Sequence, residues 1–98
     1  MKYTLENQNL TIYLIGEINS YNAEEVEKPL EEIISKGGFE SIKIDMAGLS
    51  YISSAVLRII VRIKQRYDDT TLINVPKDVN EILEMVGFQH MMKIEKLN

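Results

Sequence analysis

The sequence predicts an α/β fold: a mixed, mostly parallel sheet of four to five strands packed with three to four helices, in the order β-β-α-β-α-β-α-(β). Three observations carry this. Runs of β-branched residues with a period of two alternate along the chain with apolar stripes of helical period. Single helical segments separate the later strands, which implies right-handed crossovers and parallel pairing, while a short turn between the first two adds an antiparallel pair. At 98 residues the chain is one domain, 1–98, with room for a single modest core.

The elements follow in order. Lys2-Tyr3-Thr4-Leu5-Glu6 alternates as a half-exposed strand does, and Asn7-Gln8-Asn9 reads as a turn. Leu10 to Ile15 is apolar almost throughout and closes at Gly16, which fits a strand covered on both faces. From Asn22 the period turns helical: Ala23, Val26, Leu30, Ile33 and Ile34 share a stripe, and glutamates crowd the other side. Asn22 with Glu25 has capping-box spacing, Gly37-Gly38 supplies the stop, and Pro29 predicts a kink rather than a break. Ser41 to Met46 alternates as a third strand, and Ala47 to Ile52 reads as a loop with its own apolar anchors. Val56, Ile59, Ile60, Ile63 and Tyr67 define the inward side of a second helix, widened by Leu57 and Val61. Thr70 to Val75, ended by Pro76, is a fourth strand. Asp78 with Glu81 is another capping-box pattern ahead of a stripe of Val79, Ile82, Leu83 and Val86 that ends at Gly87. The tail from Met91 to Glu95 supplies a last edge strand, with Met91-Met92 as adaptable packing.

Composition narrows the function. The chain has no cysteine, which excludes disulfides, thiolate metal sites and cysteine nucleophiles, and its one histidine, His90, builds no multi-histidine centre. The net charge of −4 disfavours nucleic acid, whose non-specific affinity rests on phosphate neutralisation. No apolar stretch approaches the ~20 residues of a membrane span and no basic-then-apolar leader opens the chain, so a cytoplasmic location is expected. No phosphate-cradling glycine loop or nucleophile elbow is present, so neither an enzyme nor a nucleotide-binding module is expected, and no cofactor is implied. Ser53 or Ser54 with His90 makes a poor hydrolase, and Asp68-Asp69 lack the further oxygens a metal needs.

The richest segment is Asp45-Met46-Ala47-Gly48-Leu49-Ser50-Tyr51-Ile52-Ser53-Ser54-Ala55-Val56-Leu57-Arg58. It delivers two hydroxyls to a helix start, where unpaired N–H groups and the macrodipole concentrate positive potential. Two readings fit: a serine that caps the helix, or one that carries a phosphoryl group met by those donors. Asp45 ends a parallel strand, the edge where open α/β sheets place ligands, and an acid there also serves to hold the following loop. Arg58, Arg62 and Arg66, with Lys64, give this helix a basic face, which reads as a solvated surface or as a docking stripe for an acidic partner.

This segment resembles the signature of STAS domains of the anti-sigma factor antagonist family: an aspartate, Gly-Leu, an aromatic–apolar pair, Asp/Ser-Ser, a small residue, Gly and Leu. Asp45, Gly48-Leu49, Tyr51-Ile52, Ser53-Ser54, Ala55 and Leu57-Arg58 match it. Gly16-Glu17-Ile18-Asn19 resembles a second family block, commonly Gly-Glu-Leu-Asp. The resemblance spans the whole chain and implies a STAS-like fold and a non-enzymatic regulator. Such a regulator binds an anti-sigma factor with serine kinase activity, is released when phosphorylated, and is reset by a phosphatase. Carried over residue by residue, the acceptor is Ser54, with Ser53 as second choice; Asn19, Ser53, Ser54, Ala55 and Arg58 form the partner surface, and Asp45 and Gly48 support it. Two positions depart from the pattern: Val56 stands at the family's glycine, adding bulk where a partner approaches, and Asn19 at its aspartate. They motivate an alternative, a non-switched STAS scaffold or accessory subunit of a transport ATPase complex.

Overall fold

Two consecutive left-handed residues, Asn7 (φ 49°) and Gln8 (φ 67°), close the first hairpin with the twist that paired strands favour. They join β1 (Tyr3–Glu6) to β2 (Asn9–Tyr13), which run antiparallel with Leu5 opposite Leu10. In the computed structural model, which describes residues 1–98, the chain continues through β3 (Gly16–Glu17), α1 (Ala23–Lys36), β4 (Ser41–Asp45) and β5 (Leu49–Tyr51). It ends with α2 (Ser54–Arg66), β6 (Thr70–Val75), α3 (Lys77–Met85), a 3-10 turn at Phe88–His90, and β7 (Lys93–Lys96).

Five strands form the main sheet in the order β1-β2-β4-β6-β7, parallel except for β1. Each crossover steps in the same direction across this sheet, so right-handed connections stack α1, α2 and α3 on one face. Burial follows that layering. Leu10, Ile12, Ile42, Ile44 and Leu72 turn towards the helices and meet Leu30, Val56, Ile59, Ile60, Ile63 and Leu83 in one core. The opposite face is open, and the register lines up Thr4, Thr11, Lys43, Thr71 and Lys93 across all five strands. The expectation that the Leu10–Ile15 run is covered on both faces is therefore corrected. Thr11 and Tyr13 are only half-buried, and Ile15, beyond the end of β2, is 58% exposed. The first strand is exposed along its whole length rather than half-exposed, because it is the sheet edge that no helix reaches.

Four local expectations also change. Leu49–Tyr51 is not loop but β5, paired in parallel with β3 as a separate two-stranded sheet. Asn22 occupies the N-cap position of α1 without capping it, because its side chain is held by Asn19 N–H and by the Glu17 carbonyl. The third helix starts one residue before Asp78, with Pro76 at its N-cap and no side-chain cap. Ile82 and Val86 are 40% and 50% exposed, since α3 is the last helix of the layer and only Val79 and Leu83 of its stripe reach the core. Helix α1 runs unbroken through Pro29, and Gly37 and Gly38, with φ of 66° and 85°, terminate it as expected. At the tail, Met92 packs into the core while Met91 stays on the surface.

Candidate functional site

The two serines at the start of α2 have different jobs. Ser53 is the N-cap, with extended backbone, and its Oγ accepts a hydrogen bond from Val56 N–H at 3.3 Å. The same hydroxyl donates to the Ile18 carbonyl at 2.5 Å, which ties the helix start to the segment after β3. Ser54, the first residue of α2, is exposed and its hydroxyl makes no hydrogen bond within the chain. The capping role is thus filled by Ser53. The first intrahelical bond runs from Leu57 N–H to the Ser53 carbonyl, so the N–H groups of Ser54 and Ala55 are left without partners in the chain.

The approach to this helix end is held from three sides. Asp45, 9% exposed at the end of β4, accepts from Ala47 N–H at 3.0 Å through Oδ1 and from Asn74 Nδ2 at 2.8 Å through Oδ2. It fixes the turn into β5, and Asn74 itself takes a left-handed backbone (φ 52°) at that edge. Gly48 lies against the β2–β3 connection: its carbonyl accepts from Gly16 N–H at 2.8 Å, and a Cβ there would sit 3.3 Å from Ile15 Cγ1. Leu49 and Ile52 anchor β5 in the core from either side of exposed Tyr51. On the third side the Asn19 side-chain oxygen accepts from Tyr21 N–H (2.9 Å) and Asn22 N–H (3.2 Å), winding Asn19–Asn22 into a tight turn. An aspartate would accept the same two bonds, so asparagine preserves the turn while removing a charge.

Of the five residues expected on a partner surface, the structure brings Asn19, Ser53, Ser54 and Arg58 to this end of the molecule and turns one, Ala55, away. Ala55 is 1% exposed, so its side chain packs inward and is not available to a partner. Val56 is fully buried, so the bulk it adds fills the core and does not alter the surface beside Ser54. The basic stripe of α2 is neither a bare solvated face nor a free docking strip. Arg62 meets Glu27 at 2.8 Å and Arg66 meets Glu31 at 2.7 Å, stitching α2 to α1, while Arg58 reaches Glu27 only at 3.7 Å and is half exposed. Lys64 turns instead to Asp68. His90, in the 3-10 turn, leads into the N-terminal end of β7, whereas the serines follow the C-terminal end of the parallel strand β4, so the two lie at opposite ends of the sheet and no serine–histidine pair forms. Unanticipated from the sequence are the Ile18 carbonyl, Asn74, and the 96%-exposed Tyr21; Ile15, just before β3, and Tyr51, at the end of β5, are exposed as well. A Tyr beside an Asx turn was the one available signal.

Residues 2–97 match the family model of the STAS domain. The chain belongs to the STAS domain family. A protein of Bordetella bronchiseptica, BtrV, named as a candidate anti-sigma factor antagonist, is 33% identical to it over 90% of this chain and 80% of the relative. The crystal structure of a candidate anti-sigma factor antagonist from Thermotoga maritima superposes with a TM-score of 0.84 at 21% identity, covering 97% of this chain and 85% of that one. The anti-sigma factor antagonist SpoIIAA, solved in its unphosphorylated form, gives a TM-score of 0.73 at 19% identity over 95% of this chain and 87% of that one. The mixed sheet with three helices is therefore the STAS fold, and no helix of this STAS domain is long and apolar enough to cross a membrane.

Proposed function

We propose that this STAS domain is a phosphorylation-switched regulator of the anti-sigma factor antagonist type, and not a catalyst. Its unmodified form binds an anti-sigma factor that is also a serine kinase; phosphorylation of Ser54 releases it, and a phosphatase resets it. The observation that carries the reading is the division of labour between the serines: with Ser53 committed to the cap and to Ile18, Ser54 keeps an exposed, uncommitted hydroxyl beside two unpaired N–H groups. The antagonist role of the relatives supports this reading, and that SpoIIAA was solved in a form distinguished as unphosphorylated supports phosphorylation as a property of that relative.

The electrostatics suit a switch. A phosphoryl group adds about −1.5 to −2 charges at neutral pH. At a helix N-terminus that charge is met by the macrodipole and free donors, so the domain's own fold tolerates it. Pressed into a partner surface that covers Tyr21, Tyr51 and Asn19, a dianion must be desolvated. A penalty of about 3 kcal/mol, a modest value for a buried unpaired charge, lowers affinity about 100-fold. Arg58, one turn beyond Ser54 and loosely held, is the cation placed to take part in the contact.

The test is incubation with ATP and the cognate kinase, with mass spectrometry of the wild type and Ser54→Ala. Phosphate on Ser54, absent from the variant, is expected; phosphate on Ser53 or elsewhere overturns the assignment. A pull-down with Ser54→Asp separates the switch from the scaffold reading, because only a switch loses its partner.

A further inference from the structure

We infer that the outer edge of β1 pairs antiparallel with the same edge of a second copy of this chain, joining the two main sheets into one across a two-fold axis. This goes beyond the Ser54 switch and does not rest on it.

The backbone pattern comes first. Strand β1 ends the main sheet and is exposed along its whole length. In an antiparallel ladder, hydrogen-bonded and non-hydrogen-bonded residue pairs alternate. Tyr13 N–H donates to the Lys2 carbonyl at 3.2 Å, and beyond that pair Tyr3 stands opposite Ile12, Thr4 opposite Thr11 and Leu5 opposite Leu10. Lys2, Thr4 and Glu6 therefore aim their N–H and C=O groups at β2. Those of Tyr3 and Leu5 point outward, where no strand of this chain meets them. Such an edge is a template for another strand.

Side chains select the strand. With a second β1 laid antiparallel so that Thr4 faces the partner's Thr4, Tyr3 faces the partner's Leu5 and Leu5 the partner's Tyr3. The outward N–H and C=O groups of these two residues then bond one another. On the helix-bearing side the register sets Tyr3, 41% exposed, against Leu5, 47% exposed, two apolar side chains that no helix covers. On the open face it sets Lys2 against Glu6 twice, once at each end of the pairing. The Tyr13 ring, 4.7 Å from Lys2 Nζ, already holds that lysine on the open face. Neither Lys2 nor Glu6 forms an ion pair within the chain. A slip of the pairing in either direction loses both ion pairs, and in-register parallel pairing sets lysine against lysine and glutamate against glutamate. The other free edge, β7, lacks this match: Lys93 and Glu95 pair with each other, and the ladder with β6 shifts register between Leu72 and Val75. A self-complementary contact of this kind closes at two copies. Each copy carries a net charge of −4, which opposes association, so the dimer is weak and depends on concentration.

Sedimentation equilibrium of the full chain from about 10 μM to about 1 mM tests this, with the 11.3 kDa monomer expected to pass reversibly to a dimer. Lys2→Glu and Glu6→Lys, both at exposed positions, should each weaken the dimer about tenfold or more, because attraction becomes repulsion at both ends of the pairing. An equal mixture of the two variants should restore it, since each carries the charges the other lacks, and the double variant should restore it alone. Thr4→Cys, which gives the chain its one thiol, should oxidise to a cross-linked dimer, whereas Glu6→Cys, away from the two-fold axis, should not. A dimer indifferent to Lys2→Glu, a mixture that stays dissociated, or equal cross-linking by the two cysteine variants each overturn the inference. So does a monomer at every concentration, which leaves the edge to an extended segment of another protein. Self-association and kinase-dependent phosphorylation are read separately, so failure of one leaves the other standing.

Discussion

Replacing each of the two adjacent serines by alanine gives opposite results if their roles are as the geometry divides them. Ser53→Ala removes the acceptor of Val56 N–H and the donor to the Ile18 carbonyl. Loss of an N-cap costs about 1 kcal/mol. The second loss costs about 1 to 1.5 kcal/mol more, since Ile18 is only 2% exposed and water does not readily replace the hydroxyl. Together they amount to about 2 to 2.5 kcal/mol, which for a domain of this size lowers the melting temperature by about 10 °C or more. Ser54→Ala removes an exposed hydroxyl without partners and is expected to change stability by less than about 0.5 kcal/mol. Ser53→Asp sharpens the comparison: a carboxylate still accepts from Val56 N–H but cannot donate to Ile18, so it too is destabilising. Thermal and urea unfolding followed by circular dichroism measures all three. Equal losses for the two alanine variants, or a larger loss for Ser54→Ala, refute the division of labour on which the switch rests.

Other consequences are equally direct. Val56→Gly, which restores the family's residue, empties a fully buried site and puts glycine in a helix, so urea unfolding should show a loss of about 3 kcal/mol. Partner affinity measured by calorimetry should be unchanged by it at temperatures where the variant is folded. Asp45→Ala strands Ala47 N–H and Asn74 Nδ2 and should cost about 2 to 3 kcal/mol in the same assay, and Asp45→Asn should cost less because one acceptor oxygen remains. Glu27→Gln releases Arg58 and Arg62, both half exposed, from one partly buried carboxylate; the loss should stay near or under about 1 kcal/mol and shrink further as salt is raised.

The crossovers were readable because each buried strand carries its own β-branched run and each helix its own stripe: Ile42 and Ile44 of β4, or Ile59, Ile60 and Ile63 of α2, report their burial locally. The helical phase of those three isoleucines already turns Val56 inward, which outweighs the reading of it as surface bulk. What stayed hidden depends on neighbours distant in sequence. The β3–β5 pair is too short to have a period, and the arginines of α2 find their acids 31 to 35 residues away in α1. The Asn22 capping box failed through a nearby competitor: the Asn19 turn engages the Asn22 side chain before it can reach the helix. Even the two serines were distinguishable only in outline, because both suit a helix start and it is the Ile18 carbonyl, 35 residues upstream of Ser53, that selects the capping one.

Isothermal titration of the anti-sigma factor kinase with the unmodified chain and with the chain carrying phosphate on Ser54 tests the switch most directly. The account predicts a clear binding isotherm for the unmodified form and about 100-fold or greater loss for the phosphorylated form, with circular dichroism showing the same fold in both. Equal affinity of the two forms contradicts it.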